Sequence, residues 1–252
     1  MGRLQDKVIL VTGGASGLGK SGATLMNAEG AKVVISDINA DMGEDTAAEI
    51  GNGVTFLYQD VTQLSDWDRV IAQVMEQHGR LDVLVNNAGI VVVADVEKTT
   101  LEDWRSVNAV GTDGTFFGIQ KGIGAMRKSG GGSIINMSSV AGIIGYPLVF
   151  AYSASKGAIR SMTKSAAVYC AQNSLGIRVN SIHPGTIATP MVSGFESDVE
   201  EKGEVRVKLL LGEADDVGHM MVYLASDESK FVSGSEFVID STASITEGLV
   251  PG

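Results

Sequence analysis

Residues 8–19 read Val8-Ile9-Leu10-Val11-Thr12-Gly13-Gly14-Ala15-Ser16-Gly17-Leu18-Gly19, and this stretch decides the fold. A short apolar run predicts a buried strand, and the glycines after it predict a turn that opens a helix. Glycines at such a junction permit a tight turn, let the backbone approach a pyrophosphate without a Cβ, and leave N–H groups at the positive end of the helix. The turn alone is compatible with an ordinary strand-to-helix connection. Its place after the first predicted strand favours a dinucleotide site.

Strands and helices alternate along the rest of the chain. The predicted strands are Lys7–Thr12, Lys32–Ser36, Val54–Tyr58, Leu81–Asn86, Ser133–Met137, Ile177–Ile182 and Glu236–Asp240. The predicted helices are Gly19–Ala28, Met42–Ile50, Ser65–His78, Leu101–Lys128, Ala151–Gln172 and Ala214–Ala225. Strands that are apolar on consecutive residues are buried on both faces. The pattern therefore predicts a doubly wound α/β fold of the Rossmann type, with seven parallel strands and helices on both faces of the sheet.

The composition predicts one domain spanning residues 1–252. The chain has 252 residues, of which 44% are hydrophobic and 19% charged, enough for one large core and short for two. No repeat or linker divides it, although the stretch Gly185–Leu211 has weaker periodicity. We expect a substrate-binding lid at about residues 186–211, which would exclude water from the reacting groups.

Charge and cysteine content exclude several classes of function. The formal net charge of -11 leaves no electrostatic footprint for nucleic acid or an anionic membrane. The single cysteine, Cys170, rules out an intramolecular disulfide framework and a Cys-rich zinc site, so we predict no metal. The first apolar run, Val8 to Val11, is too short for a signal peptide or a membrane span. We therefore expect a cytoplasmic protein.

Two carboxylates follow the second and third predicted strands. Asp37 ends the second apolar run, where its side chain can accept hydrogen bonds from the adenosine ribose and would repel a 2'-phosphate. This favours NAD over NADP, although the same position is also compatible with an Asp that only caps the next turn. Asp60 is placed to bond the adenine amino group, and Val61 to offer a main-chain contact.

Several motifs in one order carry a family resemblance. They are Thr12-Gly13-x-x-x-Gly17-x-Gly19, Asp60-Val61, Asn86-Asn87-Ala88-Gly89, Ser139, Tyr152-x-x-x-Lys156 and Pro184-Gly185. Together they resemble the classical short-chain dehydrogenase/reductase family over nearly the whole chain, and within it the bacterial NAD-dependent secondary alcohol and hydroxysteroid dehydrogenases. The resemblance implies that Gly13, Ser16, Gly17, Leu18, Gly19, Asp37, Ile38, Asp60, Val61, Asn87, Ala88, Gly89, Tyr152, Lys156, Pro184, Gly185, Ile187 and Thr189 bind the cofactor NAD.

Three side chains are predicted to be catalytic. Tyr152 and Lys156 lie four residues apart in a predicted helix, so they project from one face. An ammonium neighbour is expected to lower the phenol pKa and make Tyr152 a general base for alcohol oxidation and a general acid for ketone reduction. Ser139 is placed to bond the substrate oxygen. We assign no catalytic role to Ser138 or to His183, which precedes a proline at a strand end.

The chain departs from the family pattern at two places. The family's fourth catalytic residue, an Asn that holds a water linking the lysine to solvent, is replaced by Gly111. Asn108, three residues earlier, either compensates or is an unrelated polar residue, and replacing Gly111 by Asn is the direct test. After the last strand the family commonly has Gly-Gly where this chain has Ser241-Thr242, so the tail that follows, residues 243–252, is free to differ.

The expected substrate wall is apolar and carries no cation. It comprises Val91-Val92-Val93, Val140 to Tyr146, Met191 and Phe195. This favours a neutral hydrophobic secondary alcohol or ketone over a phosphate or an acyl-carrier substrate. The long predicted helices resemble those that family members pair into tetramers, so a homotetramer is expected. The alternative function is a catalytically weak NAD-binding sensor or scaffold, which rests on Gly111 alone.

Overall fold

The computed structural model describes residues 2–192 and 211–245. Its strands are β1 (Val8–Thr12), β2 (Lys32–Asp37), β3 (Thr55–Tyr58), β4 (Val83–Asn86), β5 (Gly132–Met137), β6 (Ile177–Pro184) and β7 (Glu236–Ile239). They form one parallel sheet in the order β3-β2-β1-β4-β5-β6-β7. The order reverses between β1 and β4, which is where open α/β sheets bind ligands. The predicted fold class is confirmed.

Seven α-helices cover the sheet within the described residues. They are α1 (Gly17–Ala28), α2 (Ala40–Ile50), α3 (Leu64–His78), α4 (Leu101–Asn108), α5 (Gly114–Ser129), α6 (Phe150–Gln172) and α7 (Ala214–Ala225). The predicted ends lie within two residues of these, with one exception. The single helix predicted over Leu101–Lys128 is two helices joined by a π-helical turn, Ala109–Asp113.

Two apolar layers, one on each face of the sheet, hold the fold together. In β1, Ile9 and Val11 pack against α1, α2 and α7, whereas Val8 and Leu10 pack against α3, α5 and α6. All four side chains are 1% exposed or less. Burial of each such side chain stabilises the fold by about 1.5–3 kcal/mol, which explains why these strands are apolar on consecutive residues.

The start of α4 is fixed by its own sequence. Thr100 accepts a hydrogen bond from the N–H of Asp103, and the Asp103 carboxylate accepts one from the N–H of Thr100, which forms a capping box. Such a cap contributes about 1 kcal/mol. It positions the chain that enters the π-helical turn.

Parallel strands bring their carboxyl ends to one edge of the sheet. The residues that follow β1, β3, β4 and β5, and those that end β2 and β6, therefore meet there. All the predicted site residues lie at this edge or on the helices that begin there. Of the predicted lid, residues 193–210, including Phe195, lie outside the described residues. Across residues 2–192 and 211–245, no helix has the length and apolarity needed to span a bilayer.

Candidate active site at the carboxyl edge of the sheet

The glycine turn after β1 is fastened to the end of β4. Asn87 Nδ2 donates hydrogen bonds to the carbonyl oxygens of Thr12 and Gly13, both at 3.0 Å. Gly13 has φ +64°, and a Cβ there would lie 2.8 Å from Cα of Ala88. A Cβ at Gly19 would lie 2.1 Å from the carbonyl oxygen of Gly13. Both glycines are therefore required by the close packing of the turn itself.

Thr12 also joins β1 to the end of β4, a role that the sequence pattern did not predict. Its Oγ1 accepts hydrogen bonds from the N–H groups of Asn87 and Ala88, at 3.1 and 3.2 Å, and donates one to the carbonyl of Val85 at 3.3 Å. The feature of the sequence that could have indicated this role is a hydroxyl side chain directly before Gly13. Thr12 and Asn87 together set the distance between the β1 turn and the β4 end.

The start of α1 has the properties of an anion site. Gly17 has φ +52°, the Ser16 side chain makes no capping hydrogen bond, and the first turn of α1 carries no acidic residue. The positive end of the helix dipole is therefore not neutralised locally. A Cβ at Gly17 would lie 3.5 Å from the Thr189 side chain, so the segment after β6 approaches this turn. These residues fit the pyrophosphate of a dinucleotide.

Asp37 lies beside this turn at the end of β2. One carboxylate oxygen accepts a hydrogen bond from the N–H of Ala15 at 3.2 Å, and the other accepts one from the N–H of Asn39 at 3.1 Å. Asp37 thus caps the local backbone, and its carboxylate lies at the glycine turn. Its predicted contact with the adenosine ribose stays a prediction. Ile38, the next residue, is 61% exposed and offers an apolar surface at the same place.

Asp60 and Val61 follow β3. Asp60 Oδ1 accepts hydrogen bonds from the N–H and the hydroxyl of Thr62, at 2.9 and 2.7 Å. Val61 is buried, and its carbonyl accepts a hydrogen bond from Nε1 of Trp67 at 2.9 Å. The structure therefore shows both residues fixing the turn after β3.

Ser139, Tyr152 and Lys156 come together between β5 and α6. The Ser139 hydroxyl interacts with the Tyr152 phenol, and Ser139 Oγ accepts a hydrogen bond from the N–H of Ala141 at 3.1 Å. Lys156 is 3% exposed, and its Nζ lies 5.2 Å from the centre of the Tyr152 ring. The structure thus brings the three predicted catalytic side chains into one cluster.

The Lys156 ammonium is hydrogen-bonded to β5. Its Nζ donates a hydrogen bond to the carbonyl of Met137 at 2.7 Å, and Ser138 Oγ donates one to the carbonyl of Lys156 at 2.9 Å. A Cβ at Gly89 would lie 3.4 Å from Nζ, so the ammonium faces the end of β4. Ser138, which we gave no catalytic role, anchors α6 to the sheet.

Burial dominates the protonation of this cluster. It raises the pKa of Tyr152 to about 12, with the Ser139 hydrogen bond acting in the opposite direction. It lowers the pKa of Lys156 to about 8. The expectation that Lys156 lowers the phenol pKa is wrong for this structure. The reason is that the ammonium bonds to the Met137 carbonyl while the phenol is desolvated.

The segment at the end of β6 has mixed roles. Pro184 is the last residue of β6, and a Cβ at Gly185 would lie 2.8 Å from Cβ of Asp240. The Ile187 side chain is 5% exposed and belongs to the core, so only its main chain is available to a ligand. His183 is fully buried, with Nε2 2.8 Å from Ser181 Oγ and Nδ1 3.3 Å from the carbonyl oxygen of Ser139.

The predicted substrate wall is partly surface and partly core. Val93, Tyr146 and Met191 are 58%, 41% and 43% exposed, so they provide apolar surface. Val140 and Ala141 are buried instead, because they form the 3-10 turn that follows Ser139.

Comparisons with known proteins agree with this geometry. The family profile described as Enoyl-(Acyl carrier protein) reductase matches residues 13–242. A crystal structure of a short-chain type dehydrogenase/reductase from Mycobacterium marinum superposes with a TM-score of 0.88 at 32% identity, covering 96% of this chain and 97% of that one. The chain belongs to the short-chain dehydrogenase/reductase family.

Similar members of the family are alcohol and steroid dehydrogenases. The chain is 46% identical to the NADP-dependent (R)-specific alcohol dehydrogenase of Lentilactobacillus kefiri, over 94% of this chain and 96% of that one. It is 42% identical to the cyclopentanol dehydrogenase of Comamonas sp. strain NCIMB 9872, over 95% and 98%. It is also 42% identical to a 3-alpha-(or 20-beta)-hydroxysteroid dehydrogenase of Mycobacterium bovis, over 95% and 90%.

Gly111, where the family has an Asn, lies in the π-helical turn against α6. A Cβ at Gly111 would lie 2.2 Å from Ser155 Oγ, one residue before Lys156. Substituting Asn at this position, as the sequence suggested, would therefore clash with α6. Asn108 does not face the cluster: it donates a hydrogen bond to the carbonyl of Trp104 and accepts one from the Thr112 hydroxyl. Asn108 therefore makes its hydrogen bonds within α4 and the π-helical turn that follows it.

At the second departure from the expected family pattern, two residues with side chains have positive φ angles. These are Ser241, at +47°, and Thr242, at +76°. The Asp240 carboxylate accepts hydrogen bonds from the N–H groups of Thr242 and Ser244, at 3.0 and 2.7 Å. These bonds hold two side-chain-bearing residues in a conformation that favours glycine.

Proposed function

We propose that this chain is an NAD(H)-dependent oxidoreductase that interconverts a hydrophobic secondary alcohol and its ketone. The observation that carries this proposal is the cluster of Ser139, Tyr152 and a buried Lys156, at the same sheet edge as the glycine turn. The reaction class agrees with the alcohol and hydroxysteroid dehydrogenases that the chain resembles.

Tyr152 acts as the proton donor to a ketone. A phenol with a pKa of about 12 is protonated at neutral pH, so it suits the acid role. When bound, the reduced nicotinamide supplies the hydride that attacks the carbonyl carbon. As the carbonyl π bond breaks, the oxygen takes the Tyr152 proton, and alcohol oxidation reverses these transfers.

Ser139 and Lys156 have supporting roles. Ser139 lies beside Tyr152, where it would donate a hydrogen bond to the substrate oxygen as charge develops on it. The Lys156 Nζ lies 5.2 Å from the centre of the Tyr152 ring and faces Gly89, where it would hold the nicotinamide ribose hydroxyls.

The cofactor preference rests on Asp37. Its carboxylate lies within hydrogen-bond distance of the glycine turn and would repel a 2'-phosphate, which favours NAD. Because one relative is named as NADP-dependent, this preference needs a direct test. We expect kcat/KM with NAD to exceed that with NADP by at least about tenfold.

Asp37→Asn, which removes the charge and keeps the shape, tests the cause. The ratio of the two kcat/KM values is expected to fall by about tenfold in this variant. Asp45→Asn on the exposed face of α2 is the matched control and should leave the ratio unchanged. A native ratio that favours NADP would overturn the cofactor assignment.

The substrate is proposed to be neutral and hydrophobic. The exposed Val93, Tyr146 and Met191 provide apolar surface, and no Lys or Arg stands among the wall residues that the structure describes. A panel of secondary alcohols with NAD, followed by absorbance of the reduced cofactor, tests this. If NAD binds and no alcohol is turned over, the chain is instead a non-catalytic NAD-binding protein, the function that Gly111 favours.

We also propose a homotetramer in which α4, α5 and α6 take part. Large apolar side chains are exposed on these helices: Leu101, Trp104, Phe116, Phe150, Val168 and Tyr169. Trp104 of α4 and Phe150 of α6 form one exposed aromatic pair, with ring centroids 6.2 Å apart, and exposed apolar clusters are typical of interfaces. Mass photometry at nanomolar concentration should give four times the chain mass, and a monomer would contradict the assembly.

A further inference from the structure

A cavity lies at the edge of the sheet opposite the candidate active site. Its volume is about 430 Å³. It is lined by residues at the amino ends of β1, β4, β5 and β6, by the end of α6, and by the turn after α7. Nothing in the proposed reaction uses this edge.

Glycines form one wall of the cavity. Gly130, Gly131, Gly132 and Gly176 line it, and a Cβ at Gly131 would lie 2.6 Å from the carbonyl oxygen of Gly176. Gly131 has φ +126°, which also disfavours any side chain. Because these residues present only backbone, the space between the strands and α6 stays open.

The charged residues that line the cavity are mostly basic. They are Lys7, Arg80, Arg178 and Lys230, against the carboxylates Asp82 and Asp227. Arg80 is paired with Asp82, and Lys7 with Asp227. Within the part of the chain that the structure describes, Arg178 and Lys230 form no direct ion pair with a carboxylate, and the Asp227 carboxylate acts on both of them at longer range. The cavity is therefore locally positive in a chain whose formal net charge is -11.

Arg178, which lines this space, has a donor that makes no hydrogen bond within the described residues. Its Nη2 donates hydrogen bonds to the carbonyls of Leu224 and Ser226, at 2.8 and 3.2 Å. Its Nη1 is buried and has no hydrogen-bond partner among the described residues. Leaving a buried donor unsatisfied costs about 1–3 kcal/mol, more for a charged group, so an acceptor at this position would stabilise the protein.

We propose that this cavity binds a small oxyanion, with one oxygen accepting from Arg178 Nη1 and another facing the Lys230 ammonium. Phosphate and carboxylate groups share the required chemistry, since both present several acceptor oxygens to a guanidinium. The ligand is separate from the reacting substrate, because the site lies at the other end of β6 from Pro184.

Calorimetric titration of the enzyme with inorganic phosphate, and separately with malonate, tests the proposal. Saturating dinucleotide fills the pyrophosphate position during both titrations, and chloride keeps the ionic strength constant. Saturable binding of one anion per chain is expected in at least one arm, and the stronger arm identifies the anion class. No binding in either arm would overturn the proposal.

Lys230→Glu locates the site. Lys230 is exposed, so its replacement spares the fold, whereas Arg178 also holds the carbonyls of Leu224 and Ser226. The affinity for the bound anion is expected to fall at least about tenfold, because an attraction becomes a repulsion. Lys98→Glu, at a side chain that is 79% exposed and does not line the cavity, changes the charge equally and should leave the affinity unchanged. Equal affinities in all three proteins would place the anion elsewhere and refute this site.

Discussion

Gly111 packs directly against Ser155, so that a Cβ at position 111 would lie 2.2 Å from Ser155 Oγ and 3.4 Å from Ser155 Cβ. Ser155 is 1% exposed, and its Oγ has no hydrogen-bond partner among the described residues. The π-helical turn therefore approaches α6 closely next to Lys156, and a larger residue at position 111 requires the Ser155 hydroxyl to move.

Gly111→Ala is expected to destabilise the protein by about 1–3 kcal/mol, since the added methyl overlaps Ser155 Oγ. Ser155→Ala removes that oxygen and an unsatisfied buried hydroxyl, so alone it should be neutral or slightly stabilising. The double variant should recover most of the loss, because Cβ of residue 155 remains at 3.4 Å. Chemical denaturation of all four proteins measures this coupling, and strictly additive effects would contradict the contact.

The rate of ketone reduction is expected to fall as the pH rises through about 8, where Lys156 loses its charge. Burial lowers the lysine pKa, so the ammonium is present below this pH and absent above it. Tyr152, with a pKa of about 12, stays protonated throughout. A profile of kcat/KM from pH 6 to 10 checks this, and Lys156→Arg should remove the alkaline fall in whatever activity it retains. A rate that is flat to pH 10 would contradict the role of the ammonium.

Ser241→Gly should stabilise the fold modestly. A residue with a Cβ at φ +47° carries strain of about 1–2 kcal/mol, from which the greater freedom of glycine in the unfolded chain subtracts about 0.4–1 kcal/mol. Thermal unfolding is expected to shift upward by a few degrees. Thr99→Gly, at a negative φ, should lower the midpoint instead. If both replacements lower it equally, the strain is absent.

Glu236 makes stability sensitive to acid. Burial opposes its ionisation, but hydrogen bonds from Arg160 and Lys164 prevail and lower its pKa to about 2. A depressed carboxyl pKa contributes stability that is present above about pH 4.5 and lost as the pH falls toward 2. We expect a loss of about 2 kcal/mol from this group, after discounting for the partly exposed cations.

Glu236→Gln should not show this part of the loss of stability in acid. Its free energy of unfolding should therefore depend less steeply on pH between about 4.5 and 2. Glu97→Gln, at an exposed side chain, is the control and should follow the native curve. Parallel slopes for Glu236→Gln and the native protein would refute the assignment.

Much of the fold follows from local sequence. Val8 to Val11 are apolar without alternation because β1 is covered on both faces, and every strand was predicted for a similar reason. The catalytic cluster could be predicted because Tyr152 and Lys156 share a helix face, and parallel strands bring Ser139 and Gly13 to the same edge.

The rest depends on contacts between distant segments. In the π-helical turn Gly111 contacts Ser155 of α6, a contact that no pattern within residues 101–128 encodes. The rise in the Tyr152 pKa follows from burial, which spacing along a helix does not reveal. The basic cavity is formed by Arg178 and Lys230, and only the fold brings them to one wall.

The central claim is that Tyr152 transfers the proton, and Tyr152→Phe tests it most directly. With a hydrophobic secondary alcohol and NAD, kcat should fall by at least about 10²–10⁴ because the ring remains and the transferable proton is gone. Cofactor affinity, measured by fluorescence of the reduced dinucleotide, should change by less than about threefold, within the usual scatter of a conservative change. Turnover by Tyr152→Phe within about tenfold of the native rate would contradict the account.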